Sequence, residues 1–231
     1  MIPCPVSDET AVGDVTPSAN NAVINSLDYF IVENTRSARR FLSKAKIAKA
    51  IDELEFRELN EHTTSPQEIE SLIVPLLEGR SAGVISEAGV PAVADPGAQV
   101  VTLCHKRGIR VVPLVGPSSI LMAVMASGLN GQSFAFNGYL PVKPPERAKA
   151  IRFFERRAVT ERQTQVFIET PYRNDRLWEQ LVQTCAPTTM LTVAAGITSA
   201  DELIVTRSVA EWRREGMPEL GRRPAIFAIG I

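Results

Sequence analysis

Histidine is nearly missing from this chain of 231 residues, with only His62 and His105 present. A Ser/His/Asp triad or a histidine-rich metal site is therefore poorly supplied, and no metal is expected. Cysteine is scarce too. Cys4, Cys104 and Cys185 are odd in number and widely separated, a pattern that fits neither zinc-ligand spacing nor a disulfide framework and reads as three structural thiols. No apolar stretch approaches the roughly 20 residues of a membrane-spanning helix, and the start MIPCPVSDET lacks the basic and apolar regions of a signal peptide. A cytoplasmic protein with no membrane association is expected. The Gly-x-Gly-x-x-Gly fingerprint and the Gly-Lys-Ser/Thr loop are both lacking, which argues against dinucleotide and ATP sites of those types. Nor does one sign of charge dominate: 25 basic and 26 acidic residues leave a net charge of -1.

What is present is the profile of a soluble globular protein, 45% hydrophobic and 22% charged, long enough for one large domain or two. The basic residues cluster in two stretches. Arg36, Arg39, Arg40, Lys44, Lys46 and Lys49 form the first, and Lys143, Arg147, Lys149, Arg152, Arg156 and Arg157 the second. Each is either a solvated helix face or part of an RNA-facing surface.

Apolar periodicity and punctuation predict alternating helices and strands. Ser65-Pro66-Gln67-Glu68 opens a helix with a capping box, carried on by Ile69, Leu72, Ile73, Leu76 and Leu77, kinked at Pro75 and closed near Gly79. Strands are expected over 82–86 and 109–114, joined by a helix over 98–107 that ends at Gly108, as a parallel βαβ unit. Further on, helices are expected over 120–127, over 145–157 with Ile151, Phe153 and Phe154 on its apolar side, and over 173–184. Strands are expected over 164–169, 190–195 and 225–230, with a second capping box at Ser208-Val209-Ala210-Glu211. The break at 113–119 divides the chain into an N-terminal α/β domain, 1–115, and a C-terminal α/β domain, 116–231.

In α/β sheets ligands lie beyond the carboxyl ends of the strands, so the loops that follow strands are where chemistry is sought. Three stand out. Ser86 to Gly97 is rich in Gly and Pro and carries Glu87 and Asp95; its Gly89 and Gly97 would let a ligand approach main-chain amides. Asp95-Pro96-Gly97 also reads as an ordinary turn capping the next helix. Val115-Gly116-Pro117-Ser118-Ser119 points amides and two hydroxyls toward one spot, or else simply caps a helix. Glu169-Thr170-Pro171-Tyr172-Arg173 is a third strand-to-helix turn, with Thr170 and Pro171 equally suited to a plain helix start.

Five segments in order carry a resemblance. Val32-Glu33-Asn34-Thr35-Arg36, Glu87 to Pro91 with Asp95-Pro96-Gly97, Gly116 to Ser119, Gly138-Tyr139-Leu140-Pro141 and Glu169 to Arg173 resemble the tetrapyrrole methylase superfamily along nearly the whole chain. They are most similar to the bacterial enzymes that methylate a ribose 2′-hydroxyl of small-subunit ribosomal RNA. The resemblance implies two α/β domains with parallel and mixed sheets, S-adenosylmethionine (SAM) in the cleft between them, a homodimer and no metal. By position it assigns SAM contacts to Ala88, Gly89, Val90, Pro91, Asp95, Pro96 and Gly97, to Pro117, Ser118 and Ser119, and to Pro224 and Ala225, with residues near Ile197 alongside. Arg36, Tyr172 and Arg173 fall on the substrate side, toward ribosomal RNA or the small ribosomal subunit.

The implied reaction is in-line attack of an oxygen on the sulfonium methyl, in which alignment matters more than acid chemistry. A carboxylate that takes or orients the hydroxyl proton would help. Among Glu33, Glu87, Asp95 and Glu169, the first choices are Glu87 and Glu33. Two segments depart from the family: Cys4 to Asp8 lacks a Gly and an Asn usual in the first loop, and Gly196 to Glu202 lacks an Arg and a Lys usual after a late strand. Methylation of a small molecule such as a tetrapyrrole precursor, or a non-catalytic SAM- or RNA-binding role, are the alternatives.

Overall fold

A computed structural model describes residues 1–59 and 65–231; His62 lies outside the described residues. The chain divides into two compact α/β units, Met1–Ser118 and Ser119–Ile231. Among the described residues no helix is long and apolar enough to cross a membrane.

The first unit contains α1 (Val12–Val15), α2 (Ala19–Ser26), β1 (Tyr29–Val32), α3 (Thr35–Lys44), β2 (Glu55–Glu58), α4 (Pro66–Leu77), β3 (Ala82–Ile85) and α5 (Ala98–Lys106). Its three strands are parallel in the order β2-β1-β3, with Val32 of β1 level with Glu58 and Ile85. Every residue of β1 is buried, as a central parallel strand covered on both faces requires. The period-2 alternation of a strand sorts them: Phe30 and Val32 pack with Ile24, Phe41 and Leu42 of α2 and α3, while Tyr29 and Ile31 pack with Ile69, Leu72 and Ile73 of α4 and Val100 of α5. The capping box at Ser65 and Glu68 forms as expected, and α4 runs through Pro75 to Leu77.

The expected strand over 109–114 does not form. This segment belongs to no sheet, and its bonds to the N-terminal segment are the Met1 amino group donating to Val112 O at 2.9 Å and Leu114 N donating to Met1 O at 3.0 Å. Pro113, and Pro117 beyond it, have no N–H to offer a ladder. The partner of β3 is instead β1, so the parallel unit is built from chain that precedes it.

The second unit contains α6 (Ser119–Ser127), β4 (Phe134–Phe136), α7 (Pro144–Thr160), β5 (Thr164–Glu169), α8 (Asn174–Thr184), β6 (Met190–Ala195), β7 (Leu203–Ser208), α9 (Val209–Glu215) and β8 (Ala225–Gly230). Its sheet is mixed, in the order β4-β5-β8-β6-β7, with only β4 and β5 parallel. Phe167, Val193 and Phe227 face Ile151 of α7, Leu177 and Leu181 of α8 and Trp212 of α9. The Trp212 indole donates to Leu191 O at 2.9 Å, giving this bulky group the polar partner it needs when buried. The Ser208/Glu211 capping box is present. Phe153 of α7, expected on the apolar side, is 53% exposed, because the packed face of α7 runs through Ile151, Phe154 and Ala158.

All three cysteines are buried and free. Burial pushes the thiol of Cys4 up to about 12 and raises those of Cys104 and Cys185, so none is a ready nucleophile.

Candidate active site

In the first unit β1 and β3 are neighbours in parallel register, so the residues just beyond their carboxyl ends are brought side by side. Glu33 follows β1 and Glu87 follows β3. The main-chain N–H of Glu87 donates to Glu33 Oε2 at 3.1 Å, and the Ser37 hydroxyl donates to Glu87 Oε1 at 2.9 Å. Asn34 caps α3 by accepting from Ser37 N at 3.0 Å, so the cap that starts the helix also places the hydroxyl that holds Glu87. Glu87 itself is exposed.

Asp95 joins these two carboxylates. Burial first, and then the negative charges of Glu33 and Glu87, raise its carboxyl to about 6, with the Ser86 hydroxyl partly offsetting the shift. Three carboxylates drawn from two strand ends thus share one patch, with a proton held more tightly there than on an ordinary aspartate.

The loop that carries Glu87 and Asp95 has several residues at positive φ. Gly89, Ala92, Ala94 and Gly97 have φ of 69°, 70°, 63° and 126°, a left-handed region in which alanine is rare. Gly89 is clamped to the N-terminal segment by paired main-chain bonds with Cys4, at 2.8 and 3.2 Å. A Cβ on Gly89 would lie 3.9 Å from Pro117 O with nothing else nearby. Two of the three loops singled out in the sequence, 86–97 and 115–119, therefore meet beside open space. Gly89, Pro91 and Gly97 are buried, Val90, Asp95, Pro96, Pro117, Ser118 and Ser119 are half-buried, and Ala88 is exposed.

In the second unit Glu169, Ala225 and Ala195 lie in one row across β5, β8 and β6. Gly196 N donates to Pro224 O at 3.0 Å, Asn174 Nδ2 to Arg223 O at 2.8 Å, and Ile197 is buried beside them. The turn at 223–225 is thus held between the loops that follow β5 and β6. Arg173 does not reach outward. Its guanidinium pairs with Glu169 at 2.6 Å, the two side chains being 17% and 1% exposed. Tyr172 beside it is 79% exposed.

Arg36 is exposed at the start of α3. Arg39 pairs with Asp52, Arg40 with Asp8 at 3.2 Å and Lys44 with Asp8 at 3.8 Å. In the second basic cluster Arg147 is buried against Gln180, not solvated. Ser37 is the residue the sequence did not suggest: 50 positions separate it from Glu87, and nothing local links them.

An acidic, Gly/Pro-stiffened loop suits a ligand that carries positive charge and hydrogen-bonding groups at once, as a sulfonium compound with an amino-acid tail does. The family model described as Tetrapyrrole (Corrin/Porphyrin) Methylases matches residues 11–212. A protein of Vibrio cholerae serotype O1 named "Ribosomal RNA small subunit methyltransferase I" is 31% identical over 211 residues, covering 91% of this chain and 68% of its own. Its namesake in Escherichia coli O157:H7 is 30% identical over 218 residues, covering 93% and 71%. The crystal structure of the methyltransferase CobJ shares the fold, with a TM-score of 0.61 at 19% identity over 94% of this chain and 88% of that one. The chain belongs to the tetrapyrrole methylase family and is a SAM-dependent methyltransferase.

Proposed function

We propose that the chain methylates a ribose 2′-hydroxyl of small-subunit ribosomal RNA. The observation that carries the chemistry is the pairing of Glu87 with Ser37 and Glu33 at the ends of β1 and β3; the RNA substrate is supported by the names of the relatives. Bound SAM would supply the methyl group. Ala88 to Gly97, with Pro117 and Ser118, would hold it through main-chain groups. Glu87, exposed and oriented by Ser37, would accept or orient the proton of the attacking hydroxyl, while Glu33 fixes the backbone at Glu87. Alignment of that oxygen with the methyl carbon is the main source of rate, and the carboxylate adds to it. Arg36 and Tyr172 would meet the RNA. We further propose a cytoplasmic homodimer as the working form.

The test is transfer of a tritiated methyl group from SAM to purified small ribosomal subunits, with free tetrapyrroles and no acceptor as comparisons. Alkaline hydrolysis of the labelled RNA then locates the methyl group, because a 2′-O-methylated linkage resists cleavage. Label in alkali-resistant dinucleotides is the expected result. Label on the tetrapyrrole alone, or binding of SAM with transfer to nothing, overturns the assignment. Light scattering with and without SAM tests the dimer.

A further inference from the structure

Tyr139, Phe153 and Tyr172 are the aromatic residues that stand exposed among the described residues. Two of the three meet at one place. The Arg173 guanidinium carbon lies 5.9 Å from the ring centre of Tyr139 and 5.8 Å from that of Tyr172, although the tyrosines are 33 positions apart and come from separate loops. Each ring is set by rigid backbone. Tyr139 stands between Gly138, at φ 65°, and Leu140, which is buried. Tyr172 sits in a one-turn 3-10 helix, Pro171–Arg173, whose proline restricts its approach.

The cation between them is fixed as well. Arg173 donates from Nε to Glu169 Oε1 at 2.8 Å and to Thr170 Oγ1 at 3.1 Å, and Glu169 is buried at the end of β5. Its charge is compensated, so it is poorly placed to bind a phosphate. Instead it attracts the faces of two rings and holds them. Exposed rings that are preorganised in this way contribute contact area with little further loss of side-chain freedom on binding. Flat, sequence-tolerant ligands that use such surfaces are unstacked nucleobases.

We propose that Tyr139 and Tyr172, clamped by Arg173, form a stacking platform for an unpaired nucleobase of the RNA substrate. The inference rests on the RNA assignment above, deepens it by naming the contact surface, and makes Arg173 a positioning residue rather than a phosphate ligand.

Fluorescence anisotropy at one fixed salt concentration tests it, comparing a labelled single-stranded oligoadenylate with an abasic strand of equal length. The wild-type chain is expected to bind the base-bearing strand at least about fivefold more tightly. Tyr139→Ala and Tyr172→Ala each reduce that preference and the double variant removes it, while the Tyr→Phe variants keep it because stacking needs the ring and not the hydroxyl. Circular dichroism confirms that these surface variants fold. Equal affinity of the wild type for both strands, no binding of either strand, or a preference that survives in the double alanine variant overturns the platform. Methyl transfer is scored separately: base-dependent binding without transfer to ribose sinks the enzymatic assignment and leaves the platform standing, and the reverse outcome sinks the platform alone.

Discussion

The main-chain N–H of Glu87 hydrogen-bonds the Glu33 carboxylate at 3.1 Å, so the two carboxylates ranked first as proton acceptors are one assembly and not alternatives. Glu87 accepts from the Ser37 hydroxyl through Oε1 at 2.9 Å. Its carboxylate can therefore receive a second hydroxyl in the same way, while Glu33 anchors the loop.

Glu87→Gln retains the shape and the Ser37 contact but removes the basic oxygen. The expected result is a fall in kcat of about 100-fold, with SAM affinity changed far less. Glu33→Gln should instead raise the KM for SAM along with the loss of rate, since the loop backbone loses a charge-assisted bond. Calorimetry for SAM and single-turnover methyl transfer separate the two, and full activity in Glu87→Gln removes it from the chemistry.

Asp95 gives a pH signature. Its carboxyl is raised to about 6 in the native state, chiefly by burial, against an unfolded value near 3.8. The native state therefore prefers the protonated form. The stability this group contributes is complete below its unfolded value and declines as pH rises through about 6. Asp95→Asn stays neutral throughout, so it should be more stable than wild type at neutral pH and equal to it near the unfolded value. Urea midpoints at the two pH values decide the matter; a difference independent of pH rules out titration of Asp95 as the cause.

Much of the second unit was legible because its apolar strands are bounded by Gly, Pro and capping residues. The ranges 164–169, 190–195 and 225–230 coincide with β5, β6 and β8. Their order was not legible: β8, last in the chain, inserts antiparallel between β5 and β6, and the alternation of helix and strand alone suggests parallel neighbours. In the first unit β2 reads Glu-Phe-Arg-Glu and offers no apolar run, while Ile109 to Leu114 offers one and forms no strand. Apolar content alone does not make a strand, and Pro113 has no N–H to offer a ladder. At the site, the rule that ligands lie beyond strand ends pointed to Glu33, Glu87 and Asp95, which the structure brings near one another. It could not find Ser37, which lies 50 positions from Glu87 and comes beside it because β1 and β3 are neighbours, nor foresee that Arg173 would pair with Glu169.

The Glu169–Arg173 pair is buried enough for its loss to be costly. Arg173→Met leaves an uncompensated carboxylate in the interior and should destabilise the protein by about 3–5 kcal/mol. Adding Glu169→Gln removes that charge and should recover a large part of the loss. Chemical denaturation of the wild type, both single variants and the double variant checks the coupling. Additive losses would mean that the pair has no energetic identity of its own.

Gly116 is the residue at which fold and site are most tightly joined. A Cβ there would fall on Cβ and Cγ of Pro3, with Pro3 Cα at 3.7 Å, because the 115–119 turn is pressed against the N-terminal segment. That segment is itself tied down by Met1 to Val112 and Leu114, and the turn by Asn20 Nδ2 donating to Val115 O at 2.8 Å. Neither side can yield without disturbing a main-chain bond, so Gly116→Ala should cost about 1–3 kcal/mol. The displacement would pass to Pro117, whose carbonyl borders Gly89, and SAM affinity should fall with stability. Pro3→Gly removes both clashing atoms, and in that background Gly116→Ala should cost distinctly less. An equal cost in both backgrounds would refute the steric account, and unchanged SAM affinity in a destabilised Gly116→Ala variant would separate the turn from the donor site.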